Sequence, residues 1–428
     1  MSHDAIRLKR SLSLLDAIMI GLGPTIGPTI FVVPRTAFDL AGSSSVLTLI
    51  LAGIITLITA FNYAELSSRI PEAGGGYSFA NKAFGGFKAF LAGWFMWIGS
   101  TAYIALSAIT FAISLALFIP TISPSIIAIL MIILFTILNF VGIKEAGRTQ
   151  VLLTIFVTLV LFAFALLGLY RVDESKFIPF FSNGTLPMFT AIGYVYSVFV
   201  GFEIIANASE EVKRATIIVP RAILLTISIA LILFPTILFV LIGIMPKEML
   251  LNSQTPLIDA SKFVFGPLGP TFMAIAALVA SLASLNASVI SSSRTLYALG
   301  RDRHLPSFLM KIHKRFRTPH MALAISMGLA IALVYFLQID PLVYATDFGY
   351  ILGLSIINAS AIFLKREVAD HRPIFKLPLH PLVPILATIT TIAVIPTISI
   401  QALIIGTIIT AVGFIVSYTY KKHSSPKN

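Results

Sequence analysis

An all-α polytopic membrane protein with 12 transmembrane helices is predicted from three observations on the sequence. First, the chain of 428 residues is 57% hydrophobic and only 11% charged, with mean hydropathy +0.96. A soluble domain has roughly 45–50% and 25%. Second, the apolar runs are about 20 residues long, enough to cross roughly 30 Å of hydrocarbon, and short polar breaks separate them, which favours a helical bundle over a barrel. Third, Lys and Arg concentrate in alternate breaks.

The spans fall near 13–37, 45–67, 88–117, 123–141, 150–170, 188–208, 219–244, 268–291, 320–338, 342–364, 379–396 and 399–420. The first is followed by many others and has no small-residue cleavage site, so removal as a signal peptide is not expected. It holds GLGPTIGPTIFVVP (21–34), with two prolines and three glycines inside 21–28. Proline removes a backbone donor and clashes with the preceding turn, so this span is predicted to break near Gly23 to Gly27. In lipid, such a break is tolerated only where protein groups or a water-filled cavity satisfy the freed backbone. The first span is therefore read as lining a binding cavity, with a proline kink that only shapes packing as the alternative. Pro28 suits the first helical position beyond the break, where its missing donor is not needed.

The second span ends near Glu65, read as a structural or gating residue. The third carries GWFMWIGSTAY (93–103), aromatics and small residues at helical spacing, which is read as helix packing. The sixth holds YSVFVGFEIIANASEE (196–211), with Glu203 at a depth where a charge costs roughly 2.5–3.5 kcal/mol or more. Such an acid marks an ion pathway, a proton relay or a ligand counter-ion. The alternative is a protonated Glu that ties the sixth span to the first. Asp347, in the tenth span, is left near enough to an end to reach water and has no assigned role.

Spans one and six lie five apart, so a broken helix opens each of two five-span halves. Interrupted segments at corresponding positions point to an inverted repeat with its site at the midplane. The halves run about 13–170 and 188–364, with two further helices at about 379–420, all in one membrane domain. With the N-terminus in the cytoplasm, 25 of the 30 Lys and Arg are cytoplasmic, and Arg35, Arg171, Lys176, Lys247 and Lys262 lie opposite. Both termini are thus expected inside the cell (plasma) membrane. The net charge of +12 follows from this asymmetry and from anionic lipid, so no nucleic-acid partner is required. There is no Cys, and the seven His lie in predicted cytoplasmic segments, so no metal site or cofactor is expected. GGGYSF (74–79) lacks the Lys-Ser/Thr of a phosphate loop, no HExxH or GxSxG is present, and an enzyme is not expected.

Five stretches together resemble the amino acid-polyamine-organocation (APC) transporter superfamily: GLGPTIGPTIFVVP (21–34), YAELSSRIPEAGGGYSFANKAFG (63–85), VGIKEAGRTQ (141–150), GFEIIANASEEVKRATIIVPRA (201–222) and SSRTLYALGRDRHLP (292–306). The resemblance implies the five-plus-five (LeuT-like) inverted-repeat fold, alternating access, and amino acids or related amines as substrate. Carried over residue by residue, it places the substrate at Gly23, Ile26, Gly27, Pro28 and Thr29 of span one and at Tyr196, Phe199 and Gly201 of span six. Glu203 falls on the superfamily's span-six acid, a coupling or gating position. Two departures follow. Pro28 and Thr29 stand where small residues and a second Gly are usual, leaving the Thr29 hydroxyl as a replacement donor for a carboxylate. Val157 stands where proton-coupled members often carry a span-five Lys, so that lysine mechanism is not expected.

The reading is therefore a secondary active transporter of amino acids, neutral ones first because the mapped cavity offers one acid and no fixed base. H⁺ is the expected coupling ion, ahead of Na⁺ held by hydroxyls such as Ser291 and Ser292. The alternatives are a polyamine or cationic amino acid transporter or exchanger, and, outside the class, an amino acid receptor. The expected partners are the amino acid or amine substrate and membrane lipid.

Overall fold

A computed structural model describes residues 12–71, 74–141, 146–364, 375–377, 379–398 and 400–424. The basic N-terminal segment, part of VGIKEAGRTQ and most of the basic 365–376 segment lie outside the described residues. Among the described residues there is no strand, only an isolated bridge between Leu12 and Val212.

The helices in chain order are α1 (Leu14–Ile26), α2 (Thr29–Ala41), α3 (Ser45–Arg69), α4 (Gly75–Ala83), α5 (Gly86–Ala116), α6 (Pro124–Val141), α7 (Ala146–Leu169), α8 (Thr185–Thr190), α9 (Ile192–Val195), α10 (Ile204–Asn207), α11 (Ala215–Ile244), α12 (Lys247–Asn252), α13 (Pro256–Phe265), α14 (Gly269–Arg301), α15 (His320–Phe336), α16 (Ile339–Phe363), α17 (Leu382–Val394) and α18 (Ile400–Ser424). Nine helical runs among the described residues are long and apolar enough to cross a membrane, one of them the joined run Thr29–Arg69. Three shorter apolar helices, Leu14–Ile26, His320–Phe336 and Leu382–Thr397, accompany them. This is a multi-pass membrane protein.

The two interrupted spans stand out for local reasons. α1 starts on a capping box, in which the Ser13 hydroxyl accepts from the Asp16 amide while the Asp16 carboxylate accepts from the Ser13 amide. It stops at Gly27, whose φ of +33° no β-carbon tolerates well, and Pro28 then caps α2. The sixth predicted span is more fragmented than its apolar length implies. α8 and α9 pass into a 3₁₀ turn, Tyr196–Phe199; Val200 is extended, Gly201 has φ +125°, and only then does α10 begin. α14 runs ten residues past the predicted end at 291, through SSSRTLYALGR. Its hydroxyl residues lower the local hydropathy without interrupting the helix: Ser293 and Thr295 bond back to the Ile290 and Ser291 carbonyls, and Ser292 pairs with Thr101 of α5.

Packing is organised around α5, which lies along both α14 and α16, and around the α3–α11 pair; α1 packs on α7, α11 and α14. The α5–α16 crossing is close because Gly99 and Gly349 meet there. A β-carbon on Gly349 would stand 2.5 Å from the Gly99 amide nitrogen. Trp97 on the same helix donates to Ser326 (2.8 Å), so the aromatic and small residues of 93–102 serve packing.

Polar contacts sort the two ends of the bundle. At the end where α1 begins, Leu12 bonds Lys213, the Phe375 amide donates to Ser68, and Asp302 accepts from Tyr77 (2.9 Å) and Asn81 (3.2 Å) of α4. At the other end Ser43 donates to the Lys176 carbonyl, Asn183 to the Asp39 carbonyl, and Tyr194 and Thr36 to Asp340. Partial burial pushes the Asp302 carboxyl up, but hydrogen bonds from Arg301 and Tyr77 outweigh it and hold it below the usual value. A depressed native pKa contributes stability above the unfolded value that is lost as pH falls through the native one. Asp302→Asn is therefore expected to lower Tm at pH 7 and to make Tm less sensitive to acidification below about pH 4. Thermal unfolding of both proteins across pH 3–7 checks this, and parallel Tm profiles would remove the link from α4 to α14.

Candidate functional site at the crossing of two interrupted spans

The break in span one poses an accounting problem that begins with its prolines. In a helix the carbonyl of residue 24 would accept from the amide of residue 28, but Pro28 has none. That carbonyl is buried, and an unpaired buried polar group costs about 1–3 kcal/mol. Tyr103, from the middle of α5, supplies the donor: its hydroxyl donates to the Pro24 carbonyl at 2.8 Å. Ser284 of α14 reaches the Gly23 carbonyl (3.5 Å) while bonding its own Ala280 carbonyl (2.9 Å), and Thr25 donates back to Gly21 (2.8 Å). Tyr103→Phe is expected to cost about 1–3 kcal/mol of stability and to weaken substrate binding together with it. Thermal unfolding and equilibrium binding check this, and an unchanged Tm would mean that the carbonyl finds another donor.

The break in span six lies directly on this one. A β-carbon on Gly201 would stand 2.5 Å from the Thr25 nitrogen and 2.8 Å from the Pro24 carbonyl carbon, so backbone passes against backbone. Glu203 folds back onto the break, its Oε2 accepting from the Gly201 amide at 2.8 Å. Tyr63 of α3 and Tyr350 of α16 stand beside the same carboxyl. Asp347 is wholly buried one turn from Tyr350, not within reach of water as its sequence position suggests, and Ser197 of the 3₁₀ turn donates to its Oδ2 at 3.4 Å. Glu65 is also buried, paired with Arg69 one turn further along α3.

Every substrate position read from sequence (Gly23, Ile26, Gly27, Pro28, Thr29, Tyr196, Phe199 and Gly201) is buried at or beside this crossing. The spacing could not reveal that five buried polar atoms at or near this crossing lack a well-formed hydrogen bond among the described residues: Thr29 Oγ1, with Tyr103 nearby; Tyr63 OH, which lies against Gly76 of α4; Tyr196 OH, with Thr56 and Thr59 nearby; Glu203 Oε1, with Tyr350 nearby; and Asp347 Oδ1. Buried polar atoms are normally paired, and a cluster that is not needs an explanation. Two buried carboxyls face the crossing, and among the described residues no Lys, Arg or His acts on these groups. Ser291 and Ser292 are not at the break: Asn207 donates to Ser291 (3.3 Å), and Ser292 shares a 2.8 Å bond with Thr101. The α14 hydroxyl at the break is Ser284, two turns earlier. Val157 faces Gly23 and Ile26 across an apolar groove shared with Thr154, Val279 and Ala283. Among the described residues no cluster of His, Asp or Glu is arranged to hold a metal ion.

A helical membrane protein with two broken spans crossing at a buried polar cluster has the construction of a membrane transport protein. The chain belongs to the amino acid permease family, whose model matches residues 12–420. It is 29% identical over 401 residues to the methylthioribose transporter of Bacillus subtilis, covering 89% of this chain and 86% of that one. It is 25% identical over 444 residues to that organism's branched-chain amino acid permease (97% and 94%) and 27% identical over 390 residues to its serine/threonine exchanger (89% and 89%). The family is one of permeases, not of enzymes, and the relatives support transport of a small organic substrate across the cell membrane.

Proposed function

We propose that the protein is a secondary active transporter that carries a neutral amino acid by alternating access, coupled to H⁺, with the substrate held where the two breaks cross. The observation that carries this reading is the gathering, at or near that crossing, of the five buried polar atoms that lack a well-formed hydrogen bond. The carboxylate would lie at the start of α2, where the Thr29 and Ile30 amides have no acceptor within the helix and the Thr29 hydroxyl replaces the donor that Pro28 lacks. The ammonium would lie at the span-six carbonyls near Val200, facing Asp347. Two relatives named for neutral amino acids, branched-chain ones and serine/threonine, support the substrate class. H⁺ is preferred to Na⁺ because Glu203 is a buried acid on the broken span, whereas Ser291 and Ser292 are engaged elsewhere.

The twelve-span inverted repeat is part of the same proposal. Its support is that major helix pairings recur under exchange of the halves: α5–α16 mirrors α14–α7, α5–α6 mirrors α14–α15, and α5–α15 mirrors α14–α6, while α3–α11 and α5–α14 map onto themselves. The end bearing Tyr77 and Asp302 would face the cytoplasm and the end bearing Asp340 the exterior, in line with the Lys and Arg asymmetry.

A second reading has an observation of its own. Glu203 and Asp347 place two carboxyls at a site without a fixed base, which suits a cationic amino acid or polyamine carrier or exchanger. Uptake of labelled amino acids and polyamines into proteoliposomes, with pH and Na⁺ gradients imposed separately, decides between them. Saturable accumulation of a neutral amino acid driven by the pH gradient is expected. Accumulation of a polyamine, or uptake that requires substrate loaded inside, would favour the second reading, and binding without flux would favour a receptor.

A further inference from the structure

We propose that the segment 303–318, which joins α14 to α15 at the end bearing Tyr77 and Asp302, is a docking surface for anionic phospholipid of the adjacent leaflet. The surface does not depend on which substrate is carried. Residues 303–318 hold Arg303, Lys311, Lys314, Arg315 and Arg317 and no Asp or Glu. All five cations are exposed, and among the described residues none has an ion pair or a side-chain hydrogen bond. Arg315 only lies over the Phe316 ring, 5.4 Å from its centre.

The segment is folded, and its folding turns apolar groups outward beside the charges. Leu309 is buried against Gly300, where an added β-carbon would stand 2.8 Å from the Leu309 β-carbon. With Leu309 turned in, Phe308 and Met310 are turned out and Ile312 follows them; the three are 41–51% exposed. Further on, a tight turn is closed by the His313 amide on the Thr318 carbonyl (2.9 Å) and the Arg317 amide on the His313 carbonyl (2.8 Å). This turn sits on the end of α6: the Thr318 hydroxyl donates to the Phe140 carbonyl at 2.9 Å, and the Phe140 ring lies 5.0 Å from that of His313 and 5.1 Å from that of Phe316. α6 exposes Ile126, Leu130, Ile133, Ile137 and Val141 along its length, an apolar face of the kind that meets lipid. The basic turn therefore stands at the edge of the bundle, where a lipid-facing helix ends.

Backbone conformation argues that these cations serve a partner. Among the described residues four non-glycine positions have left-handed φ, and three are arginines: Arg214 (+47°) and, in this segment, Arg303 (+59°) and Arg317 (+57°). Glycine or asparagine is at ease in such a position, and arginine is not. Orienting the chain in a membrane needs positive charge in the segment, but not at its strained positions. An anionic bilayer answers both halves of the surface. Phosphodiester groups match the guanidinium and ammonium groups, and the apolar side chains enter the boundary between headgroups and acyl chains. A soluble polyanion would leave Phe308, Met310 and Ile312 in water. Docking fastens α6, α14 and α15 to one leaflet, and α14 reaches the break in span one through Ser284.

The test measures lipid preference. The full chain is reconstituted in phosphatidylcholine vesicles with a trace of spin-labelled phosphatidylglycerol or spin-labelled phosphatidylcholine. The ratio of their association constants is read from the motionally restricted signal at low and high salt, with Tm measured alongside. The wild type is expected to prefer phosphatidylglycerol, by about fivefold for each cation that engages, and to lose the preference in high salt. Lys314→Gln with Arg315→Gln should cut it by about fivefold or more. Lys213→Gln with Arg221→Gln, an equal loss of exposed charge at the same end, should leave it as it is. Arg317→Asn separates the partner from the fold: the preference should fall while Tm in phosphatidylcholine stays the same or rises. No preference in the wild type, or equal losses in the two charge-matched pairs, overturns the docking surface. Loss of the restricted signal to inorganic phosphate at matched ionic strength also overturns it, in favour of a free-anion site.

Discussion

Gly201→Ala and Gly27→Leu are expected to abolish substrate binding and uptake, while Gly328→Ala leaves both as they are. At Gly201 a β-carbon would sit 2.5 Å from the Thr25 nitrogen, with φ at +125°. At Gly27, with φ +33°, it would sit 2.1 Å from the Tyr103 hydroxyl and 2.5 Å from the Pro24 carbonyl oxygen. Two penalties add at each position: about 1–3 kcal/mol for a side chain in that backbone region and about 1–3 kcal/mol for overpacking. Even the lower sum, about 2 kcal/mol, is roughly 30-fold in an equilibrium constant. The obstacle at Gly201 is backbone, which cannot swing aside as a side-chain tip does, so relief comes from parting the two broken spans. Gly328, in α15, has nothing within 4 Å of its β-carbon position and serves as the control. Equilibrium binding and proteoliposome uptake, with Tm measured alongside, read the result. Near-normal affinity in Gly27→Leu would mean that the break is a packing kink and that the substrate sits elsewhere.

How much of this was legible in the sequence depends on whether a residue acts through its own backbone or through a distant approach. Pro24, Gly27 and Pro28 announce a break because proline and glycine change the local backbone wherever they stand, and Glu203 announces itself because an acid within an apolar run is costly in any packing. The helix continues past the span end placed at residue 291, because hydropathy averages penalise hydroxyl residues that a helix absorbs, as Ser293 and Thr295 do by bonding to its own carbonyls. Tyr103 was not legible as a site residue. GWFMWIGSTAY reads as packing, and ten of its eleven residues fit that description; only the last is directed at Pro24, a contact 79 positions away in sequence. One signal was available, since Pro28 deprives the Pro24 carbonyl of its helical donor and so obliges some other hydroxyl or amide to reach it. Asp347 was underread for a similar reason. Its depth depends on where α16 begins, and Asp340, eight positions from Phe348, takes the place nearer the end that the sequence had left open for Asp347.

The substitution that separates the two roles of Glu203 is Glu203→Gln, and it is expected to abolish the acid stimulation of uptake while substrate binding stays measurable. On the proposed coupling, the tether and the proton site would be different oxygens of one side chain. Oε2 accepts from the Gly201 amide, and a Gln carbonyl oxygen in the same place accepts that bond equally well. Oε1, with Tyr350 beside the carboxyl, makes no well-formed hydrogen bond and, on the proposed coupling, is the oxygen that would gain or release the proton. Gln therefore keeps the shape and the bond that holds the break, and removes only the exchangeable proton. Glu203→Ala removes both and is expected to cost a further 1–3 kcal/mol or about that in stability, because the buried Gly201 amide loses its acceptor. Uptake measured from pH 5 to 8 in proteoliposomes, with Asp347→Asn beside it, distinguishes the outcomes. A flat profile in Glu203→Gln with the wild-type slope kept in Asp347→Asn assigns coupling to Glu203. The reverse pattern moves it to Asp347, and a wild-type slope in both variants leaves Glu203 as a tie between the two broken spans, with transport driven by exchange or by another ion.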